Sequence, residues 1–377
     1  MEINFNKPYL TGKEAHYIFS AVYEHNKISG NGIFTQNCQR FFEERYGFKK
    51  TLVTTSCTDA LEMAAILTDI KPGDEVIMPS FTFVSTANAF ILRGAKIIFA
   101  DSEIFTPNID ADKLEALITE KTKVIVPVHY AGVACDMDEI MKIAEKYNLF
   151  VVEDAAQAIE SFYKGKPLGS FGHLATFSFH ETKNIISGEG GLLVINDKQF
   201  LKRAEIIWEK GTNRAAFFRG EINKYGWTDI GSSFLPSDII SAFLYAQLEN
   251  IERIQKRRKE IWNTYFEELQ ETSKKGFFKL PHIPEYASNN AHMFYLVCRT
   301  YVERNKLIDF LKTKSIKTVF HYLPLHLSDF YKDKYEGEEL TNAVNFSERI
   351  VRLPMFFELT QTQILYISQS IKEFFGA

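Results

Sequence analysis

The chain has 377 residues, of which 45% are hydrophobic and 24% are charged. This is the composition of a folded globular protein, and it excludes a disordered chain, a collagen-like fibre and a coiled-coil rod. Lys and Arg number 44 against 48 Asp and Glu, so the formal net charge is -4. A dedicated nucleic-acid-binding protein would normally carry a basic surplus, so we expect no nucleic-acid partner.

The four cysteines, Cys38, Cys57, Cys135 and Cys298, include no CxxC pair. Their spacing therefore predicts neither a disulfide framework nor a metal site.

The first residues, MEINFNKPYLTGKE, lack the basic-then-apolar layout of a signal peptide. No apolar run approaches the roughly 20 residues that a membrane helix needs. We expect a reduced, cytoplasmic, soluble enzyme without a membrane partner.

Short apolar, β-branched runs alternate with amphipathic stretches between residues 51 and 195. The predicted strands are 52–54, 75–78, 96–100, 124–128, 150–153, 174–179 and 191–195, and the predicted helices are 58–68, 85–92, 111–119 and 136–146. Alternation of this kind predicts an α/β fold with a mostly parallel sheet that is covered on both faces.

A long helical stretch follows Pro236 and covers 238–249 and 253–268. We interpret it as the link from a large domain, 1–250, to a smaller α/β domain, 251–377. Within the smaller domain we predict strands at 293–298 and 318–321, and helices at 303–314, 342–352 and 361–375.

Three groups of polar residues lie at the carboxyl ends of predicted strands, where open parallel sheets bind their ligands. The first group, Ser56, Cys57 and Thr58, begins a helix, and the helix N-terminus favours a phosphate. An ordinary helix cap would have the same sequence.

The other two groups centre on Asp154 and Lys183. Asp154 ends an apolar strand, and a buried carboxylate there needs a cationic or hydrogen-bonding partner such as a pyridinium nitrogen. Lys183 follows a Phe-rich strand, and a desolvated lysine can become an imine-forming nucleophile. Taken singly, Asp154 also fits a helix cap and Lys183 a solvated surface residue. No GxGxxG or P-loop motif follows a strand.

The order of these groups and several longer motifs resemble those of a known protein family, and the resemblance extends over nearly the whole chain. The motifs are PGDEVIMPSFTFVSTANAF, KVIVPVHYAGVACDMD, FVVEDAAQ, FSFHETKN, EKGTNR, FFRG, DIGSS and NAHMFY. They resemble the sugar aminotransferases of the DegT/DnrJ/EryC1/StrS family. The resemblance implies pyridoxal 5′-phosphate (PLP) as cofactor and the fold type I architecture of aspartate aminotransferase.

The resemblance also implies residue roles. Lys183 would bind the cofactor covalently and shuttle the substrate proton, while Asp154 would pair with the pyridine nitrogen. Gln157 would lie near the ring hydroxyl, and Phe83 would stack on the ring, although Phe83 also fits a core aromatic. The phosphate would be held by Ser56, Cys57, Thr58 and Ser178.

One segment departs from the family pattern. Many members carry an Asn two positions after the glycine that matches Gly231, and that Asn reaches the phosphate of the neighbouring subunit's cofactor. This chain has Ser233 there, and its hydroxyl could still bind the phosphate as a cofactor contact; Leu235 replaces an Arg that is common shortly afterwards, so no role carries over to it. Since fold type I active sites usually lie at a dimer interface, the resemblance implies a homodimer.

Several of these motifs resemble the transaminases that form dTDP-4-amino-4,6-dideoxygalactose. The implied reaction is amination of dTDP-4-keto-6-deoxy-D-glucose at C4, with L-glutamate as amino donor. The opposite stereochemistry at C4, a C3 ketosugar transaminase and a non-catalytic regulator are the alternatives, whereas sugar dehydratases of similar fold typically have His at the position of Lys183.

Candidate substrate contacts are less closely tied to motifs. Cationic candidates for a nucleotide diphosphate are Lys27, Arg214 and Arg219; candidates for the sugar site are His129, Tyr130, His180, His321 and Tyr322. Plain surface charges, and histidines buried for structural reasons, are the alternatives for these positions.

Overall fold

The computed structural model describes residues 2–376, and within them it contains twelve strands and twelve α-helices. The strands are β1 (Thr51–Thr54), β2 (Glu75–Pro79), β3 (Lys96–Ala100), β4 (Thr122–Ile125), β5 (Phe150–Asp154), β6 (Phe162–Tyr163), β7 (Lys166–Pro167), β8 (Leu174–Ser178), β9 (Gly191–Ile195), β10 (Phe278–Lys279), β11 (Tyr295–Cys298) and β12 (Ile350–Arg352). The helices are α1 (Glu14–Phe19), α2 (Ile33–Tyr46), α3 (Cys57–Leu67), α4 (Val84–Ile91), α5 (Met137–Tyr147), α6 (Leu201–Trp208), α7 (Arg214–Phe218), α8 (Asp238–Leu248), α9 (Ile251–Lys274), α10 (Tyr301–Thr313), α11 (Thr341–Arg349) and α12 (Gln361–Phe375).

A seven-stranded sheet with the order β1-β9-β8-β5-β4-β2-β3 forms the centre of the molecule. Six strands run in one direction, and β9 alone in this sheet runs antiparallel to its neighbours β1 and β8. Strands β1, β2 and β9 are buried along their whole length. The prediction of an α/β fold with a mostly parallel sheet is therefore confirmed.

Adjacent strand residues point to opposite faces of this sheet and enter two different cores. Leu52 belongs to the core on one face, while Val53 belongs to the core on the other face. Helix α5 covers the second face with Met137, Ile140 and Ile143, which recur at the helical spacing and are fully buried. This burial on both faces explains why the strands are apolar throughout.

Two predicted elements, the helix at 111–119 and the strand at 318–321, are not found in the structure. Residues 111–119 form two 3₁₀ turns, Ala111–Lys113 and Glu115–Leu117, rather than an α-helix. Ala111, Leu114 and Leu117 recur every three residues, which matches the 3₁₀ repeat. Residues 318–321 form no strand and make only an isolated bridge between Val319 and Arg352.

The predicted helix 342–352 is also wrong at its end. Helix α11 ends at Arg349, and the β-branched pair Ile350–Val351 continues into β12. Strand β12 pairs with β11, and β11 pairs with β10, in an antiparallel sheet. This short strand carries Arg352 towards the large sheet.

The small sheet and helices α9, α10 and α12 share a separate core. Its buried members include Tyr265, Phe294, Leu296 and Ile367, and Ile3 from the amino-terminal segment joins them. Helix α9 begins at residue 251, directly after α8. The domain boundary near residue 250 stays a prediction.

Among residues 2–376, no helix combines the length and the apolar character that crossing a membrane requires.

Candidate active site

A cavity of about 520 Å³ lies at the carboxyl ends of β1, β5 and β8. It brings together predicted residues from five separate stretches of the chain. These are Ser56, Cys57, Thr58, Phe83, Asp154, Gln157, Ser178, His180, Lys183, His321 and Tyr322. The parallel strands explain this convergence, because their carboxyl ends meet at one edge of the sheet.

The N-terminus of α3 forms one wall of the cavity. Ser56 is the N-cap, and its Oγ accepts the Asp59 backbone N–H at 3.0 Å. Cys57 and Thr58 occupy the first turn, where backbone N–H groups have no partner within the helix. Thr58 Oγ1 donates to Ser85 Oγ at 2.8 Å. These donors and the helix dipole favour an anionic group such as a phosphate.

Gly191 lets β9 approach this helix end closely. A Cβ atom at Gly191 would lie 2.4 Å from the carbonyl carbon of Ser56 and 2.4 Å from the backbone nitrogen of Cys57. Any side chain there would displace the first turn of α3. The glycine therefore fixes the position of the anion-binding N–H groups.

Asp154 provides a buried carboxylate that is 5% exposed. Thr86 Oγ1 donates to Oδ2 at 2.7 Å, and the Ala156 backbone N–H donates to Oδ1 at 3.1 Å. Among the residues described, no Lys, Arg or His forms an ion pair with this carboxylate. A buried carboxylate with free acceptor capacity fits a protonated pyridine nitrogen.

Lys183 lies in the same cavity with a buried amine. Burial lowers the pKa of Lys183 from 10.5 to about 8, and the Arg352 charge lowers this pKa further, while Cys57 and Asp154 raise it. An amine with a pKa this close to neutrality is partly unprotonated in neutral solution, and only the neutral amine is a nucleophile.

Gln157 and the aromatic residues close the other side of the cavity. Gln157 Oε1 accepts the Ala131 backbone N–H at 2.6 Å, and its Nε2 donates to the Tyr322 hydroxyl at 3.1 Å. Phe83 is 54% exposed and its ring centre lies 5.9 Å from that of Tyr322. Its exposed face is available for stacking on a planar ligand.

Two predicted sugar contacts lie outside the cavity, which corrects their assignment. His129 is fully buried: its Nε2 lies 3.1 Å from Glu153 Oε2, and its Nδ1 accepts the Cys135 N–H at 3.2 Å. Tyr130 is 1% exposed, and its hydroxyl donates to the His321 carbonyl. Both side chains have structural partners, so the motif that contains them builds the wall behind the cavity.

The predicted cationic contacts and Ser233 also lie outside the cavity lining. Arg219 forms ion pairs with Glu205 at 3.0 Å and with Glu221 at 2.7 Å. Arg214 is exposed and lies over the Phe218 ring. Lys27 is partly exposed and Ser233 is exposed. Roles for these four residues in binding stay predictions.

Several cavity residues are absent from the sequence-based expectations. They include Phe5, Thr86, Glu189, His292 and Arg352. The sequence did contain a sign that Arg352 has a special role, because this charged residue interrupts the apolar run IVRLP. The sequence contained no such sign for Thr86 or His292. Thr86 lies beside Asp154, and His292 beside Asn184, only because of the tertiary fold.

Comparison with known proteins agrees with this geometry. A GDP-perosamine synthase from Escherichia coli O157:H7 is 34% identical over 98% of both chains. The spore coat polysaccharide biosynthesis protein SpsC from Bacillus subtilis is 33% identical over 97% of this chain and 95% of that one. A putative sugar aminotransferase, Spr1654 from Streptococcus pneumoniae, solved in its PMP form, superimposes with a TM-score of 0.90 at 28% identity. That alignment covers 99% of this chain and 98% of the other.

Solved structures of this kind include a PLP form as well as a PMP form. The cofactor of this chain is accordingly PLP, and the cavity residues fit it: a helix N-terminus for the phosphate, a buried carboxylate for the pyridine nitrogen and a buried amine for the aldehyde. The model of the DegT/DnrJ/EryC1/StrS aminotransferase family matches residues 10–372. The chain is a sugar aminotransferase that belongs to this family.

Proposed function

We propose that this enzyme transfers the amino group of L-glutamate to C4 of dTDP-4-keto-6-deoxy-D-glucose, which gives dTDP-4-amino-4,6-dideoxy-D-galactose. The observation that carries the transaminase chemistry is the convergence of Lys183, Asp154 and the N-terminus of α3 in one cavity. The choice of dTDP-sugar is supported by the sequence motifs that resemble transaminases forming this product.

The residues of the chain divide the chemistry between them. Bound PLP supplies an electron sink for a carbon that has lost its proton. Lys183 would take that proton and return it, since its neutral amine can act as a general base. Asp154, held by Thr86 and the Ala156 N–H, can keep the pyridine nitrogen protonated.

A second candidate differs in the nucleotide. Two GDP-perosamine synthases are similar to this chain: the Escherichia coli protein at 34% identity and one from Caulobacter vibrioides at 33% over 87% of this chain and 86% of that one. Their names favour a GDP-linked ketosugar. The opposite amine stereochemistry at C4 and amination at C3 remain alternatives within the dTDP-sugars.

One experiment separates these candidates. The PLP-loaded enzyme is incubated with L-glutamate and, in parallel reactions, with dTDP-4-keto-6-deoxy-D-glucose or its GDP-linked 4-keto-6-deoxymannose counterpart. We expect turnover of the dTDP substrate, and NMR coupling constants of the sugar ring should show an axial amine at C4. Faster turnover of the GDP-linked sugar would overturn the nucleotide assignment, and an equatorial amine would overturn the stereochemistry.

A separate experiment tests the role of Lys183. Borohydride reduction should remove the visible absorbance of the loaded enzyme and leave the cofactor attached to the peptide that contains Lys183, as mass spectrometry would show. Lys183→Ala should retain the circular dichroism spectrum and lose turnover. Attachment of the cofactor to another lysine would refute the assignment.

We also propose that the enzyme acts as a homodimer with its active site at the interface. Phe83 and Val84, at the cavity mouth and the start of α4, are 54% and 46% exposed, and Trp227 is 86% exposed. Contiguous exposed apolar patches mark protein interfaces, and Phe83 and Val84 are adjacent in the chain. Light scattering after size-exclusion chromatography should give about twice the 43.4 kDa mass of one chain, and a monomer mass would contradict this proposal.

A further inference from the structure

His180 and Glu189 form a pair of polar side chains in the cavity that the proposed chemistry leaves unused. Both line the cavity, and their side chains are 41% and 66% exposed, so they lie on its solvent-facing part. They belong to the segment between β8 and β9, which also carries Lys183.

Hydrogen bonds determine which nitrogen of the His180 ring carries the proton. The Thr182 backbone N–H donates to His180 Nδ1 at 3.3 Å, and Thr182 Oγ1 lies 2.9 Å from the same nitrogen. Because a backbone N–H can only donate, Nδ1 is the unprotonated nitrogen and the ring proton lies on Nε2. Among residues 2–376, Nε2 makes no hydrogen bond, so His180 directs a free N–H donor towards Glu189.

Glu189 supplies the complementary acceptor. Its Oε1 lies 3.7 Å from His180 Nε2, which is longer than a hydrogen bond. In the part of the chain that the structure describes, no lysine or arginine pairs with this carboxylate. The other carboxylate of the lining, Asp154, is buried and accepts hydrogen bonds from Thr86 and Ala156. The pair of His180 and Glu189 therefore offers one donor and one charged acceptor side by side.

A donor beside an acceptor is the complement of a hydroxyl group, which accepts one hydrogen bond and donates another. A ligand carbonyl would leave the carboxylate of Glu189 without a donor, and a ligand methyl group would leave both protein groups unsatisfied. A phosphate would be repelled by the negative charge of Glu189. The pair is therefore suited to a sugar hydroxyl.

The position of Lys183 indicates which hydroxyl this is. The Lys183 backbone N–H donates to the His180 carbonyl at 2.9 Å, so a single turn joins the two residues. In the proposed reaction the carbon that receives the amino group lies beside Lys183, and the ligand group beside His180 is then a near neighbour of that carbon. When C4 is aminated, its ring neighbours are C3, which carries a hydroxyl, and C5, which carries a methyl group.

We infer that His180 and Glu189 bind the C3 hydroxyl of the ketosugar and so determine specificity for the amino acceptor. The inference rests on the proposed amination at C4. Binding of this hydroxyl orients the ring with C3 towards the segment between β8 and β9 and leaves the C5 methyl group on the opposite side.

The test removes the hydroxyl and the two side chains in turn. With the wild-type enzyme in its PMP form, kcat/KM for the 3-deoxy analogue of the dTDP-ketosugar should be about a hundredfold lower than for the parent sugar, because Glu189 loses its hydrogen-bond donor. Glu189→Ala should reduce this difference to less than about fivefold, and His180→Asn should reduce it to about tenfold. His180→Asn keeps an acceptor for the Thr182 N–H and has no group at the place of Nε2. The half-reaction with L-glutamate should stay unchanged in both variants.

Glu181→Ala is the matched control. Glu181 follows His180 directly and is exposed, but it lies outside the cavity lining, so the difference between the two sugars should persist.

Calorimetry gives a second readout that needs no turnover. The probe is dTDP-6-deoxy-D-galactose, which has no carbonyl group to react. It should bind the PMP form at least about tenfold more tightly than its 3-deoxy derivative, and Glu189→Ala should remove this difference.

Each contrary outcome has its own meaning. Equal kcat/KM for the two ketosugars in the wild-type enzyme would refute the inference, and a difference that persists in Glu189→Ala would assign the hydroxyl to other residues. Loss of the glutamate half-reaction in both variants would make the pair structural. Turnover of the GDP-linked 4-ketosugar alone would refute the proposed nucleotide and move the same comparison to that sugar, which also carries a C3 hydroxyl.

Discussion

The buried amine of Lys183 makes the stability of the cofactor-free protein depend on pH. The folded-state pKa is about 8 and the ordinary value is 10.5. Between these values the unfolded chain holds a proton that the folded chain has lost, so the free energy of unfolding rises with pH. Below about pH 8 both states are protonated, and the full cost of burying the charge applies.

Replacing Lys183 by Met should therefore stabilise the cofactor-free protein at pH 7. The advantage of Lys183→Met over wild type should shrink as the pH rises from about 8 to 10.5. Urea unfolding at a series of pH values would measure it, with exposed Lys142→Met as the control that shows no such trend. A constant difference across the window would mean that the amine is not desolvated.

Substitutions at Asp154 and Thr86 should lower the catalytic rate to different extents. Asp154→Asn should retain some PLP but lower kcat by about a hundredfold, since the pyridine nitrogen is no longer held protonated. Thr86→Val removes the 2.7 Å hydrogen bond to Asp154 and should cost about tenfold. Stopped-flow spectra with L-glutamate would measure both rates. Near-normal kinetics for Asp154→Asn would make this carboxylate structural.

At the residue scale, the sequence predicted side chains whose motifs follow strand ends, and it missed those that come from elsewhere. Asp154 and Lys183 follow strands, and topology alone places them together. Arg352 reaches the cavity from the small antiparallel sheet, so only the packing of that sheet on the large one reveals it. His129 shares a motif with cavity residues, but its side chain points into the core.

At the scale of elements, the contact between β9 and α3 controls the cofactor site. Gly191→Ala would push its Cβ into the backbone of Ser56 and Cys57 and shift the first turn of α3. Overpacking of this kind costs about 1–3 kcal/mol. We expect at least about tenfold weaker PLP binding, measured by fluorescence titration, together with a lower Tm.

Gly226→Ala is the matched control for this prediction. A Cβ at Gly226 would meet no atom within 4 Å, so neither PLP affinity nor Tm should change. Unaltered PLP affinity in Gly191→Ala would show that the N–H groups of α3 do not hold the phosphate.

Elements buried on both faces were predictable, since β-branched and apolar runs leave few alternatives. All seven predicted strands between residues 51 and 195 correspond to strands in the large sheet. Short segments whose conformation depends on neighbours were not predictable. Residues 318–321 have strand-like composition, yet they pass beside Arg352 with a single bridge and continue towards the cavity.

At the scale of the whole molecule, the carboxyl-terminal part covers the open edge of the large sheet. Strand β3 is the last strand of that sheet. The Tyr331 hydroxyl accepts the Ile97 N–H at 3.1 Å and donates to the Ile97 carbonyl at 3.0 Å. The tyrosine thereby satisfies backbone groups that an edge strand leaves free.

Tyr331→Phe should lower the free energy of unfolding by about 1–3 kcal/mol, because the buried Ile97 N–H loses its partner. Urea denaturation of the PLP-loaded protein would measure this change. Tyr225→Phe is the control, since Tyr225 is 52% exposed and should tolerate the change. An equal effect of both substitutions would argue against the edge contact.

The amino-terminal segment connects the core of the small sheet with the cavity. Ile3 bridges to Ile316, and Phe5 lines the cavity with its ring 5.1 Å from the Arg352 guanidinium. Helix α12, near the other terminus, contributes nothing to the lining. A reporter placed after α12 would therefore follow an element outside the cavity lining, whereas one placed before Phe5 would adjoin a lining residue.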